Sequence, residues 1–285
     1  MLDTLFFQSL IGLSTGMFLW VVAAGLTLIF GVAKVLNFAH GSLYMLGAYL
    51  TYSFFLRTGN FWLGLLIATL ITAFVGGIME RFFIRKIYHL DVSFQLLLTF
   101  AFILILDDLV KMIWGPVYAM PPMPEGFRGG VSIMGRMFPI YSLFIIAVGP
   151  LVALGLWLFL NTKWGRMVRA AASDREMAEA VGINVKRLFT CVFMFGSGLA
   201  AIGGGLRIPM FNISPGMGIF LIIDLFIIVV IGGLGSLKGA FIGAILLGQF
   251  EALGLLFIPE FYMAFSFMLM AAVLLIRPWG IFGKP

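Results

Sequence analysis

The chain has 285 residues, is 62% hydrophobic and 11% charged, and carries a formal charge of +6. Its mean hydropathy of +1.13 leaves more apolar surface than a soluble domain of this length can bury, so a soluble fold is excluded. The positive charge does not point to nucleic acid, because Lys and Arg fall in short clusters between apolar runs, as the loops of membrane proteins distribute them.

Repeated apolar runs of about 20 residues are the signature of helices that cross a hydrocarbon core of about 30 Å. The runs here are continuous and not the alternating segments of about ten residues that build a transmembrane barrel. The expected fold class is therefore all-α: a polytopic membrane protein with about 8–10 transmembrane helices, read as one domain over 1–285. The opening residues MLDTLFFQ carry Asp3 and no basic segment, so no cleavable leader is expected.

In chain order the expected spans are 9–31, 39–57, 61–83, 93–114, 139–160, 188–209, 219–236, 239–257 and 261–277. Basic residues concentrate at Arg81, Arg85 and Lys86, in the loop 161–187, and at Arg277 and Lys284. The tract 115–138 is rich in Pro and Gly and poor in charge. Nine crossings with the N-terminus outside put every basic cluster, and the C-terminus, in the cytoplasm. The 35 glycines, many inside spans, let helices approach closely.

The first break between spans, "VLNFAHGSLYMLGAYL" from Val35 to Leu50, carries Asn37, His40 and Ser42 in an apolar setting. The segments 30–50 and 231–248 share a plan, apolar span, Gly and polar patch, then span, which makes them a candidate internal repeat. Broken helices in such repeats lie near transport pathways, so Asn37, His40 and Ser42 are pathway candidates. The alternative is a short turn in which Asn37 and Ser42 are ordinary helix caps.

Catalytic signals fail on inspection. "LILDD" (104–108) and "FLIID" (220–224) end like nucleotide-site strands, but no P-loop accompanies them. "DDLVK" (107–111) reads as carboxylates pairing with Lys111 on a helix face. The two histidines, His40 and His89, are far apart, and Cys191 stands alone, so no metal site or nucleophilic triad is indicated. The ionisable residues Arg207 and Asp224 fall within spans and are functional candidates on that ground. Arg207 is expected to snorkel to the outer interface; Asp224 is too short to do so, and either pairs with Arg207 or lines the pathway.

The loop 161–187 reads as a short charged helix over 166–181, rich in Ala and stopped by Gly182. With this segment included, the chain resembles the permease subunits of branched-chain (hydrophobic) amino-acid ABC transporters. The matching stretches are 25–49 with "NFAHG", "ERFFIRK" (80–86), "GRMVRAAASDREMAEAVGINV" (165–185), "ISPGMG" (213–218) and 231–253. The resemblance implies an importer in the bacterial inner membrane, built with a second permease chain (homologous or identical), two cytoplasmic ATPase subunits and a periplasmic binding protein. It implies no cofactor on this chain, with ATP and Mg on the ATPase subunits. It also implies that 166–183 is the coupling helix, with Arg169, Asp174, Glu179 and Gly182 at the ATPase contact. Asp224 and Arg207 depart from the usual pattern, so urea, amides or aromatic acids stay open as substrates. An ion-coupled secondary transporter or channel working through Asp224 is the reading from another class.

Overall fold

A computed structural model describes residues 2–116 and 118–283; Lys284, one of the expected basic residues, lies outside them. Every expected span has a helix. They are α1 (Leu2–Ala33), α2 (His40–Thr58), α3 (Phe61–Phe82), α4 (Val92–Trp114), α5 (Ile140–Asn161), α8 (Val185–Arg207), α9 (Met217–Gly232), α10 (Leu237–Phe257) and α11 (Tyr262–Ile276), with α6 (Lys163–Ser173) and α7 (Arg175–Ala180) between α5 and α8. Five of them are long and apolar enough to cross a membrane by length and composition alone: α1, α3 with the turn that follows it, α5, α8 and α10. The chain is a multi-pass helical membrane protein.

The polar tract before α5 folds into a small antiparallel hairpin, β1 (Gly130–Ile133) and β2 (Arg136–Pro139), with Ile133 opposite Arg136. Met134 and Gly135 turn it with φ of 49° and 79°, the left-handed pair that a two-residue hairpin turn demands.

α1 is the axis of the bundle, packed on α10 and α8. It runs antiparallel to α10: Gly12 faces Gly248, and Gly16 faces Ala244. The Gln249 side chain donates to the Ser9 carbonyl at 2.8 Å across this contact. α3 and α8 are likewise antiparallel, Thr69 lying by Gly198 and Gly77 by Met194. Small residues at these crossings let backbones meet, which in lipid replaces the hydrophobic drive that is missing between helices.

The break between α1 and α2 is the feature that positions the rest. α1 stops at Lys34, which takes a left-handed φ of 56° while its N–H still bonds Phe30 O at 3.0 Å. Residues 34–39 then fold back into the bundle. His40, the first residue of α2, donates from Nε2 to the Val22 carbonyl at 3.0 Å. Val22 lies eleven residues before the end of α1, roughly 16 Å along the axis. α2 therefore starts deep inside the protein and not at a membrane surface. α9 starts at the same place, because a Cβ on Gly41 would stand 2.1 Å from the Gly218 carbonyl oxygen. Phe38 in the break packs on Phe226 of α9 with ring centroids 4.4 Å apart.

The second break of the candidate repeat is built differently. Gly232 abuts Gly239, and Gly233 and Gly235 turn the chain with φ of 97° and 84°. α10 thus restarts beside the end of α9, and Gly235 lies against Gly31 near the end of α1.

The Gly41–Gly218 contact is backbone on backbone, so neither side can yield. Gly41→Ala should destabilise the protein by more than the ~1–3 kcal/mol typical of overpacking. Gly155, exposed on α5 with nothing within 4 Å of a Cβ, is the control, and Gly155→Ala should be neutral or slightly stabilising. Thermal unfolding of the two variants in detergent checks the contrast.

Candidate functional site

The two inward helix starts bring together the residues that the sequence singled out first. Asn37 and His40 are fully buried and Ser42 is 2% exposed. None of them caps α2: the residue before it is Ala39, with no side-chain cap. Among the described residues, neither polar atom of the Asn37 amide, nor His40 Nδ1, has a hydrogen-bond partner. Gly25 makes room for the imidazole, since a Cβ there would come within 3.0 Å of His40 Cε1 and within van der Waals overlap of the Gly196 carbonyl. The helix starts thus meet at a sealed junction.

The open space lies beside that junction, around Asp224. A cavity of about 420 Å³ is lined by Tyr44, Arg207, Asn212, Met217, Leu221 and Asp224, with Phe211 and Phe220 at its walls. Its size is that of a small-ligand site, and its lining mixes charged and polar side chains with apolar ones in near-equal share. Arg207 closes α8 and Asp224 lies in the middle of α9. Both are half-buried, and no ion pair joins them among the described residues.

Arg207 does not simply run out to the interface. Its guanidinium sits over the Phe211 ring at 3.5 Å and the Phe18 ring at 4.7 Å, a cation–π clamp. It also borders a second, smaller cavity with Ser14, Thr15, Phe18 and Ser142. Asp224 has a neighbouring carboxylate, Glu251 of α10, which accepts from the Ser266 hydroxyl at 2.6 Å. Glu251 carried the same signal as Asp224, an ionisable residue inside an expected span (239–257), but was passed over; Ser266 stands alone among apolar residues, and only the packing of α9, α10 and α11 joins the two to Asp224.

At the far end of α1 the basic segments converge. Glu80 at the end of α3 is fully buried. Arg85 grips it with two hydrogen bonds, 3.1 Å from Nε to Oε1 and 2.7 Å from Nη2 to Oε2. Tyr88 donates to Oε1 at 3.0 Å and Thr190 of α8 to Oε2 at 2.7 Å, and Arg85 also reaches Thr190 and the Lys186 carbonyl. A buried carboxylate held this completely ties α3 to α8. "ERFFIRK" marked the segment, but the partner Thr190 lies 110 residues away and no spacing announces it.

The loop 161–187 corrects the sequence expectation. In place of one helix over 166–181 there are two, α6 and α7, broken at Asp174. The Asp174 side chain accepts from the Met177 N–H at 2.9 Å; a carboxylate able to cap competes with helix continuation and wins here. Arg169 donates to the Leu160 carbonyl and so holds α6 to α5. Glu179 pairs with Arg175 at 3.5 Å, and Arg175 lies over the Tyr88 and Phe189 rings. Gly182, with φ of 88°, ends α7 as expected. Val168, Ala171 and Ala178 seat the helix pair on Leu28, Val32, Leu188 and Phe189. Its large exposed apolar side chains are Trp164, near the start of α6, and Met177, with Val181 just after α7.

The comparisons with known proteins agree with this architecture. A family model described as "Branched-chain amino acid transport system / permease component" matches residues 9–274. The chain belongs to that family. The permease protein BraD of a high-affinity branched-chain amino acid transport system in Pseudomonas aeruginosa is 31% identical, over 96% of this chain and 94% of that protein. LivH of Escherichia coli K12, of the same description, is 30% identical with the same coverage. Among solved structures, PsaBC from Streptococcus pneumoniae in complex with a Fab aligns with a TM-score of 0.51 at 14% identity, over 93% of this chain and 89% of that one, which speaks for the fold alone.

Breaking the Glu80 cluster should cost the permease more than breaking the α7 cap. Glu80→Ala removes the acceptor shared by Arg85, Tyr88 and Thr190 while the partly exposed guanidinium can still reach water, and should lose about 1–3 kcal/mol. Asp174→Ala should lose about 1 kcal/mol, with Asp174→Asn near wild type because Asn also caps. Hydrogen exchange over 163–183 reads both effects.

Proposed function

We propose that the permease is the membrane-spanning subunit of an ATP-driven importer of branched-chain amino acids in a bacterial inner membrane. The observation that carries this reading is the family match, which runs nearly end to end and so covers the pathway helices and the loop at the basic end together. A permease of this kind needs a second permease chain, two ATPase subunits that hold ATP and Mg, and a binding protein that delivers substrate. The surrounding lipid covers the exposed apolar faces of α3, α4 and α5, where Leu70, Leu97 and Leu151 stand out.

Orientation follows from charge. Arg81, Arg85 and Lys86 sit at the same end of the bundle as α6 and α7, brought there by the Glu80 cluster and by Arg175 over Tyr88. The positive-inside rule places that end in the cytoplasm. The N-terminus and the hairpin, linked by Phe7 against Phe138, then face outside. In a Cys191-free background, cysteines at Arg85 and Arg175 should be shielded from an impermeant thiol reagent in intact cells, and one at Gly126 should react. Labelling at Arg175 from outside would invert the assignment.

α6 and α7 are the coupling segment in this reading. Arg169, Asp174, Glu179 and Gly182 hold its shape, and the exposed Met177 and Val181 form the contact with the ATPase. Met177→Asp and Val181→Asp change exposed side chains and should move stability by no more than ~0.5 kcal/mol. Each should nevertheless sever uptake from ATP hydrolysis in the reconstituted complex. Full uptake in both variants would make the segment a solvated loop. The substrate is tested by uptake of labelled leucine, isoleucine, valine, an aromatic acid, an amide and urea; the three aliphatic amino acids should lead, and a preference for urea or the amide would refute the substrate assignment.

A further inference from the structure

Arg207 and Asp224 reach one cavity from different helices, and no ion pair joins them among the described residues. Opposite charges sharing a half-buried space attract strongly as water is excluded. The Phe18 and Phe211 rings hold the guanidinium on one side. Asp224 is fixed on α9 beside Glu251, which is tied to Ser266. Met217, Phe220 and Leu221 line the same cavity.

We propose that this cavity binds a zwitterionic α-amino acid, with Arg207 taking the carboxylate, Asp224 the ammonium, and Met217 and Leu221 the aliphatic side chain. The proposal rests on the amino-acid importer reading and gives it a site. A free anion satisfies Arg207 and is repelled by Asp224. A free cation does the reverse. A neutral molecule such as urea meets neither charge with its own. A zwitterion meets both, and its ammonium also relieves the repulsion between Asp224 and Glu251. The guanidinium fork suits a carboxylate geometrically, and the rings under it fix its plane.

The test is equilibrium binding to the permease–ATPase complex without the binding protein, with leucine, leucinamide and 4-methyl-2-oxopentanoate as probes. Leucinamide lacks the carboxylate; the oxo acid lacks the ammonium. The wild-type complex should prefer leucine to either by about tenfold or more, the size of a charged hydrogen bond. Arg207→Gln should weaken leucine by a similar factor and leave leucinamide unchanged. Asp224→Asn should weaken leucine and leave the oxo acid equal to it. Arg207→Lys, which keeps the charge, should recover part of the leucine binding, and gel filtration with the ATPase confirms that each variant is assembled.

Equal loss for all three probes in either variant would make the residue structural and overturn the proposal. If the wild-type complex takes up leucine, isoleucine or valine and the variants bind and transport as it does, the site assignment alone fails. If the wild-type complex carries no amino acid, the importer reading fails and the zwitterion site with it.

Discussion

A backbone inside hydrocarbon has no water to bond, so any break in a helix there must be enclosed by protein. The permease meets that constraint at residues 34–39, and most of its architecture follows from how it does so. α1 ends in a left-handed residue, Lys34. The chain then turns inward and α2 starts against the middle of α1, where the His40 side chain bonds the Val22 carbonyl. Enclosing this turn requires neighbours whose backbones come into direct contact, which explains why Gly25, Gly41, Gly196 and Gly218 surround it. An alanine at most of these positions would collide with backbone, not with a side chain that can move aside.

The enclosed break sets the position of the residues that line the cavity. α9 begins against α2 because Gly218 and Gly41 touch, and this places Asp224, two turns further on, at the cavity wall. α8 threads the other side of the junction through Gly196 and ends in Arg207 at that cavity. The opposite end of α8 carries Thr190 in the Glu80 cluster and Leu188 and Phe189 under α6 and α7. One continuous helix therefore joins the basic end to the cavity.

The sequence carried the positions of the spans because hydropathy and length decide them, and the nine expected segments all have helices. It also carried the Gly182 stop and the polar character of the first break. It did not carry the depth of that break, which depends on which carbonyl His40 reaches and not on any local pattern. The split at Asp174 was missed because alanine content favoured a helix right through, while one carboxylate in capping position outweighed it. Arg207 read as a snorkelling residue, and its clamp depends on Phe18, from α1, and on Phe211, after its own helix. Asn37, His40 and Ser42 were legible as special, but the structure seals them at the junction, whereas Asp224 lies on the open cavity. Local composition identifies a polar group in an apolar setting; only tertiary packing decides whether it faces a cavity.

We propose that the route for substrate passes the cavity of α8 and α9, while the break between α1 and α2 is closed. Single cysteines at Asn37, Ser42, Ser214 and Asp224, in a Cys191-free permease assembled in proteoliposomes, report it through their rates of reaction with a small hydrated thiol reagent. Cysteines at 214 and 224 should react, and saturating leucine should slow them; those at 37 and 42 should stay silent. Rapid, leucine-sensitive reaction at 37 or 42 with silence at 214 and 224 would contradict the account and move the route to the first break.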